Sequence, residues 1–187
     1  MRYAGQLSPE EFWARDAELE QQIRATSAVL PCFGVVGWSG LQMIGDWQWE
    51  NDRLVTVGLA HGAPEGTSPR LHVMTTVRDP RDVVVSLRPV SGAATRDESG
   101  AARQRRELET DPDDSVTIDV DGAGVHLDLW HTGDQGLWWA AGDHEGHGLV
   151  LEAGLVPVDN VSLHLVHDLE PYLDGRRTYL RELRGGI

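Results

Sequence analysis

The run from Gly142 to Gly148 holds two histidines and two acidic residues. A β-turn with His144 first and His147 fourth, and with Gly146 third where a type II turn needs a positive φ, brings these histidines within about 7 Å. Two imidazoles plus a third protein ligand form the set that a catalytic zinc ion uses, with water in the fourth position and Glu145 available as a base. The spacing therefore predicts part of a metal site.

The third ligand has to come from elsewhere in the second half of the chain. Segment 115–167 holds eight Asp or Glu residues, six of the eight histidines and no basic residue, so its local charge is −8. Its alternation of apolar and polar residues predicts a five-strand up-and-down meander, in which alternate turns lie at one edge of the sheet. We expect the turn at 121–124, the turn at 143–147 and the strand end at 167–168 to share that edge. The candidate metal ligands there are His144, His147, His167, Asp143 and His126.

Two other interpretations of these residues stay open. Turns of antiparallel sheets are polar and solvated, and an acidic protein has acidic turns without any metal function. Eight histidines with pKa values near 6.5 would also move the formal charge from −14 toward −6 on acidification, which is a form of proton sensing. The HExxH motif, which places two histidines on one helix face, is absent from the sequence.

No nucleophile or phosphate-binding motif is present. Cys32 is the only cysteine, which excludes an intramolecular disulfide, and it lies among apolar residues as a small buried hydrophobe does. In the run from Gly37 to Gly40, the second glycine follows Ser39 directly, whereas a nucleophile elbow has one residue between them.

Six of the seven tryptophans fall on or beside predicted strands. Trp47 and Trp49 are two residues apart and should share one strand face, whereas Trp138 and Trp139 should point to opposite faces. Either an exposed tryptophan marks a ligand surface, or a terminal helix covers the second face of the sheet.

Both ends of the chain have helix signals. Ser8, Pro9 and Glu11 match an N-cap, a first helical residue and the partner of a capping box, predicting a helix that runs to about Ala25. A second helix is predicted over 168–184, with Gly175 as a candidate break.

Turn residues predict two hairpins in the first half and one early in the second. Strands 41–49 and 54–61 flank Asn51-Asp52, which places Glu50 across from Arg53. Strands 71–77 and 83–88 flank a turn at 78–82. In the second half, a four-residue turn at 121–124 would place Val120 opposite Val125 and Asp119 opposite His126. The polar segment 91–114 should be an exposed connection with a short helix at 101–109.

These elements predict an α+β fold with predominantly antiparallel strands. We expect a single domain over 1–187, with eight or nine strands in two meanders, a helix at each end and segment 91–114 between the two β-rich halves. A chain of 187 residues can bury a core without disulfides or metal.

The charge limits the classes of partner. The chain has 30 acidic residues against 16 basic ones, all arginine, for a net charge of −14, which opposes binding to nucleic acid or anionic membranes. The lone cysteine, the lack of a leader pattern and the lack of a long apolar run lead us to expect a cytoplasmic protein. We therefore expect a non-enzymatic binding module whose acidic second half and exposed aromatic residues engage a basic protein partner. The alternative is a metal-dependent hydrolase that uses zinc or a similar ion at the predicted site.

Overall fold

The computed structural model describes residues 8–62, 69–87, 111–132 and 136–183. These residues form three α-helices, one short 3₁₀-helix and nine β-strands. The helices are α1 (Pro9–Ser27), α2 (Pro80–Leu87) and α3 (Glu170–Leu183), and the 3₁₀-helix is Val158–Asn160. The strands are β1 (Phe33–Val35), β2 (Gln42–Glu50), β3 (Arg53–Gly62), β4 (Arg70–Thr76), β5 (Asp114–Val120), β6 (Ala123–Thr132), β7 (Leu137–His144), β8 (His147–Gly154) and β9 (Ser162–Leu165).

All nine strands belong to one curled sheet in the order β1-β9-β5-β6-β7-β8-β4-β3-β2. Neighbouring strands are antiparallel except β5 and β9, which are parallel. β1 also approaches β3 and β4 across the inside of the curl. The prediction of an α+β fold with mainly antiparallel strands is confirmed.

The two halves of the chain join through the pairing of β4 with β8. The second half does not form the predicted five-strand meander, because β9 lies between β1 and β5 instead of following β8. The segment 155–161, which contains the 3₁₀-helix, carries the chain from β8 to that position. There Val161 and Leu163 complete the core beneath β5, so burial of apolar surface favours this order.

The inner face of the sheet carries two adjoining apolar clusters. One lies under β4 to β9 and includes Leu71, Leu127 and Leu151. The other lies where α3 packs on β2 and α1 packs on β3, and it includes Ile23 and Leu173. The outer face has a third cluster, beneath α2.

Helix α2 replaces the predicted second strand of the 71–88 hairpin, so that hairpin prediction is wrong. Pro80 begins the helix, and the side chain of Asp79 accepts a hydrogen bond of 2.8 Å from the Arg81 N–H. Val83 and Val84 are buried against Trp139 and its neighbours on the outer face. Packing against the sheet therefore overrides the β-propensity of the valines.

The β2–β3 hairpin matches the prediction, and the β5–β6 hairpin corrects it. Asn51 and Asp52 both have positive φ, and Glu50 pairs with Arg53. In β5–β6 the turn has two residues, Asp121-Gly122, so Val120 pairs with Ala123 and not with Val125.

That register error is two residues, so His126 pairs with Thr117 and not with Asp119. Side chains of a strand alternate between the two faces of the sheet, so a shift of two residues leaves each side chain on its predicted face. Asp-Gly is a strong signal for the two-residue turn, since both positions need positive φ.

A β-bulge near Asp46 and Gln48 separates two tryptophans that were expected on one face. Trp47 packs with the outer cluster beneath α2, whereas Trp49 packs with the inner cluster at α1 and α3. Trp138 and Trp139 do take opposite faces, and the outer one, Trp139, is covered by α2 instead of by a terminal helix.

Helices α1 and α3 form near the predicted positions. Ser8 and Glu11 form the reciprocal capping box. Helix α3 runs without a break through Gly175, where a Cβ would overlap the Gln42 carbonyl oxygen of β2. Glycine at this position allows close packing of helix on strand.

The predicted helix at 101–109 lies outside the described residues, as does most of segment 91–114. None of the described helices combines the length and the apolar character needed to cross a bilayer.

Candidate functional site

The chain reversals of both halves lie at one edge of the sheet, which we call the turn rim. It comprises the β2–β3 turn (51–52), the β4–α2 link (77–79), the β5–β6 turn (121–122), the β7–β8 turn with the strand ends beside it (143–147) and the β9–α3 link (166–169). The registers fix this arrangement, since β4 ends beside the start of β8 and β9 runs parallel to β5. The shared edge expected for 121–124, 143–147 and 167–168 is therefore present.

His144 and His147 are direct register partners at the β7–β8 turn. Glu145 and Gly146 both have positive φ, which makes the connection a type I′ turn instead of the expected type II. The ring of His144 lies 5.5 Å from the ring of Phe33, so this pair belongs to the inner face of the sheet. Two of the candidate metal ligands are thus brought together.

The other candidate ligands lie elsewhere along the rim. Asp143 and His126 alternate with inward residues of β7 and β6 and therefore lie on the outer face. His167 lies on the β9–α3 link, and β5 and β6 separate β9 from β7. Within the described part of the chain, no three His, Cys, Asp or Glu side chains are grouped so that they could hold a metal ion.

The turn rim presents exposed carboxylates from every one of its five reversals. Three of them stabilise the turns: Asp79 caps α2, Asp168 accepts a hydrogen bond from the Glu170 N–H, and Asp121 accepts one of 2.9 Å from the Leu165 N–H. The other three, Asp52, Asp143 and Glu145, make no hydrogen bond or ion pair with any described residue. The exposed rim carboxylates are Asp52, Asp79, Asp121, Asp143, Glu145 and Asp168.

Arginines at the rim offset this charge only in part. Arg53 is exposed at the β2–β3 turn. Arg78 already pairs with Glu50 at 2.9 Å and also contacts Gln48 and Asp82. Arg81 pairs with Asp128 at 3.4 Å. With Glu50, Asp82 and Asp128 counted alongside the six rim carboxylates, the described residues here include nine carboxylates against three arginines, which leaves a negative balance.

A cleft of about 420 Å³ opens on the outer side of the rim. The residues that line it include Ala141 and Gly142 of β7 and the charged side chains Arg81, Asp128 and Asp143. The remaining lining residues are Val77, Arg78, Asp79 and Pro80.

The outer face also carries a charged cluster that the sequence did not indicate. The Nδ1 atom of His72 lies 3.5 Å from the Glu152 carboxylate, and Arg70 lies 4.0 Å from the same side chain. The ring of Trp47 lies 4.6 Å from the His72 ring. His72 and Glu152 are 80 residues apart and become register partners only when β4 pairs with β8, so no local pattern could have revealed them.

Among the ionisable side chains that the structure describes on the inner face, His61 is the most deeply buried, at 1% exposure. Its ring lies 6.0 Å from Trp38 and 6.1 Å from Tyr172, and neither ring nitrogen makes a hydrogen bond to a described residue. Burial, together with the nearby His72 and His164, lowers the pKa of His61 to about 4. This side chain is neutral at physiological pH.

Cys32 is buried as expected from the sequence. Burial raises the pKa of its thiol, which disfavours the reactive thiolate.

Comparisons of this chain with protein-family models, with curated proteins and with solved structures found no match.

Proposed function

We propose that this protein is a non-catalytic binding module that engages a basic protein partner through the turn rim. The observation that carries the proposal is the convergence of exposed carboxylates from five chain reversals at one edge of the sheet. Asp52, Asp143 and Glu145 are free of described partners and therefore available to a partner's cations.

The charge balance supports a protein partner over the other macromolecules. A net charge of −14 repels nucleic acid and anionic lipid. A rim of carboxylates attracts lysine and arginine side chains. This attraction mainly speeds association and orients the partner, and it weakens as the salt concentration rises.

Neutralising the free rim carboxylates should weaken binding to a cationic probe. We expect the triple variant Asp52→Asn, Asp143→Asn, Glu145→Gln to bind an octa-arginine peptide about tenfold more weakly, since each exposed pair contributes up to about 0.5 kcal/mol. Fluorescence anisotropy of the labelled peptide at about 50 mM and about 200 mM salt measures both the affinity and its salt dependence.

The matched control removes the same charge from exposed positions outside the rim. The variant Glu18→Gln, Asp111→Asn, Asp159→Asn should lose less than about twofold in affinity. Equal losses in the two triple variants, or a peptide affinity that ignores salt, would show that the rim is not the binding surface.

The metal-dependent hydrolase remains the second candidate function, supported by the pairing of His144 with His147. It requires a third ligand to approach the pair, with Glu145 as the base. If it holds, equimolar zinc should raise the melting temperature of the wild-type protein but not of His144→Ala, measured by differential scanning fluorimetry with and without chelator. A melting temperature that is insensitive to zinc and chelator in both proteins would rule it out.

A further inference from the structure

A short link between two strands helps to close His61 of β3 off from solvent. The His61 ring lies 6.0 Å from the ring of Trp38, which is on the β1–β2 link (36–41), and 6.1 Å from the ring of Tyr172 on α3. His61 is 1% exposed. Its two ring nitrogens and the Nε1 atom of Trp38 are buried, and none of these atoms hydrogen-bonds to a described residue. Aromatic packing therefore shields these polar atoms from water.

The β1–β2 link is the weakly held side of this site. Trp38 is the only residue of the link that is not exposed. Gly37 has a φ of 75°, and a Cβ there would meet no atom within 4 Å, so the backbone before Trp38 has room to turn. Tyr172, by contrast, is 7% exposed and belongs to α3, which ion pairs of Arg176 tie to α1 and β2. The link can therefore move more easily than the helix.

A proton on His61 would place a positive charge inside this closed site. The titratable groups around the ring and beside Tyr172 are His72 of β4, His164 of β9, Tyr172 itself and the Cys32 thiol. None of these four side chains carries a negative charge at neutral or acidic pH, since burial raises the pKa of both Tyr172 and Cys32. The Glu152 carboxylate pairs with His72 on the other face of the sheet. Contact with water would stabilise the charge on His61 better than these neighbours do.

We propose that Trp38 is an acid-sensitive lid: protonation of His61 moves the β1–β2 link outward and exposes the Trp38 indole. The indole then joins Val36 and Leu41, two side chains of the link that are already exposed, so an apolar surface grows at acidic pH. The proposal is independent of the turn rim, because the link lies at the opposite edge of the sheet.

The direction of the pH effect follows from the two states of the lid. With the lid closed, burial lowers the pKa of His61 to about 4, whereas with the lid open the ring meets water and should titrate near 6.5. The closed lid is therefore most stable above about pH 6.5, and it is weakened as the pH falls toward about 4.

Hydrogen exchange at the Trp38 indole N–H measures this opening, because the group is buried. The rate is measured by NMR on the ¹⁵N-labelled full-length protein, with the resonance assigned through Trp38→Phe, and is divided by the rate for N-acetyl-tryptophan amide. The two pKa values predict that the protection falls about 20-fold between about pH 7 and about pH 5. The backbone amides of Leu127 and Leu151 in the core report global unfolding and should stay more strongly protected than the indole.

Two substitutions test His61 and the lid separately. His61→Gln keeps a polar side chain that does not titrate, so the indole protection should change less than about threefold between the two pH values. Gly40→Ala places a Cβ 2.8 Å from Nε1 of Trp38 and crowds the closed lid. This variant should lose about threefold of the protection at neutral pH and keep the wild-type ratio between the two pH values. His131→Gln, at an exposed position of β6, is the control and should match the wild type.

Several results would overturn the proposal. They are a wild-type indole protection that does not change with pH, an equal fall in His61→Gln, and an indole that exchanges only as fast as the core amides. If His61→Gln does not fold, an NMR titration of the His61 ring in the wild type decides: a midpoint below about pH 5 supports the closed site, and one near 6.5 contradicts it.

Discussion

At the scale of single residues, the fold changes the protonation chemistry of His61. Imidazole normally titrates near pH 6.5, but burial between Trp38 and Tyr172 keeps this ring neutral, with a pKa of about 4. The nearby His72 and His164 lower its pKa further. The folded state therefore resists protonation at this position and the unfolded state does not.

This difference makes stability depend on pH through His61. As the pH falls from about 6.5 to about 4, the unfolded chain binds a proton that the folded chain does not, so the free energy of unfolding should drop by up to about 3 kcal/mol. His61→Gln removes the titration, and its unfolding free energy should fall less steeply over this range. Urea unfolding at a series of pH values measures the slope.

His131→Gln is the control, because His131 is exposed at the opposite edge of the sheet from the turn rim. Its pH profile should follow that of the wild type. If the unfolding free energy of His61→Gln falls with pH as steeply as that of the wild type, other groups cause the acid sensitivity and His61 does not.

At the scale of elements, two features attach α3 to the sheet. The helix backbone packs directly against β2, and a buried arginine of the helix forms ion pairs with neighbouring elements. Gly175 lets the helix backbone reach β2. The next residue, Arg176, donates a hydrogen bond of 2.8 Å to the Asp16 carboxylate of α1. Its guanidinium also lies 3.8 Å from the Asp46 carboxylate of β2. One arginine thus links both terminal helices to the edge strand, and its burial makes the loss of either partner costly.

Gly175→Ala separates helix propensity from packing. In an exposed helix this substitution stabilises by about 1 kcal/mol. Here the added methyl group overlaps the Gln42 carbonyl oxygen, so we expect a net destabilisation of about 1–3 kcal/mol in urea unfolding.

Thr178→Ala, at an exposed position of the same helix, should instead be neutral or slightly stabilising. A stabilised Gly175→Ala protein would mean that α3 does not approach β2 closely.

At the scale of the whole molecule, the pairing of β4 with β8 determines how the acidic side chains of the two halves are distributed over the surface. It aligns turns from both halves of the chain at one edge, adding Asp52 and Asp79 to the carboxylates of the second half. It also brings arginines from the first half to acids of the basic-residue-free segment 115–167, as in Arg81 with Asp128. The negative surface is therefore a rim built from both halves and not a patch confined to the second.

The sequence by itself determined the features that depend on neighbouring residues. The capping box of α1, the Asn51-Asp52 turn and the alternation that puts Trp138 and Trp139 on opposite faces all follow from local backbone and side-chain geometry. The His144–His147 pair follows from the same kind of argument, since Gly146 favours the tight turn that sets them opposite each other.

Tertiary structure alone decided the rest, because it depends on contacts between distant segments. The valines of α2 adopt a helix since the outer face of the sheet offers them a surface on which to pack, and β9 joins β5 since its apolar residues complete the core there. The bulge in β2 sends Trp47 and Trp49 to opposite faces. The meeting of His72 with Glu152, and of Asp128 with Asp143 across a shallow cleft, depends on the strand order, which no local pattern in the sequence determines.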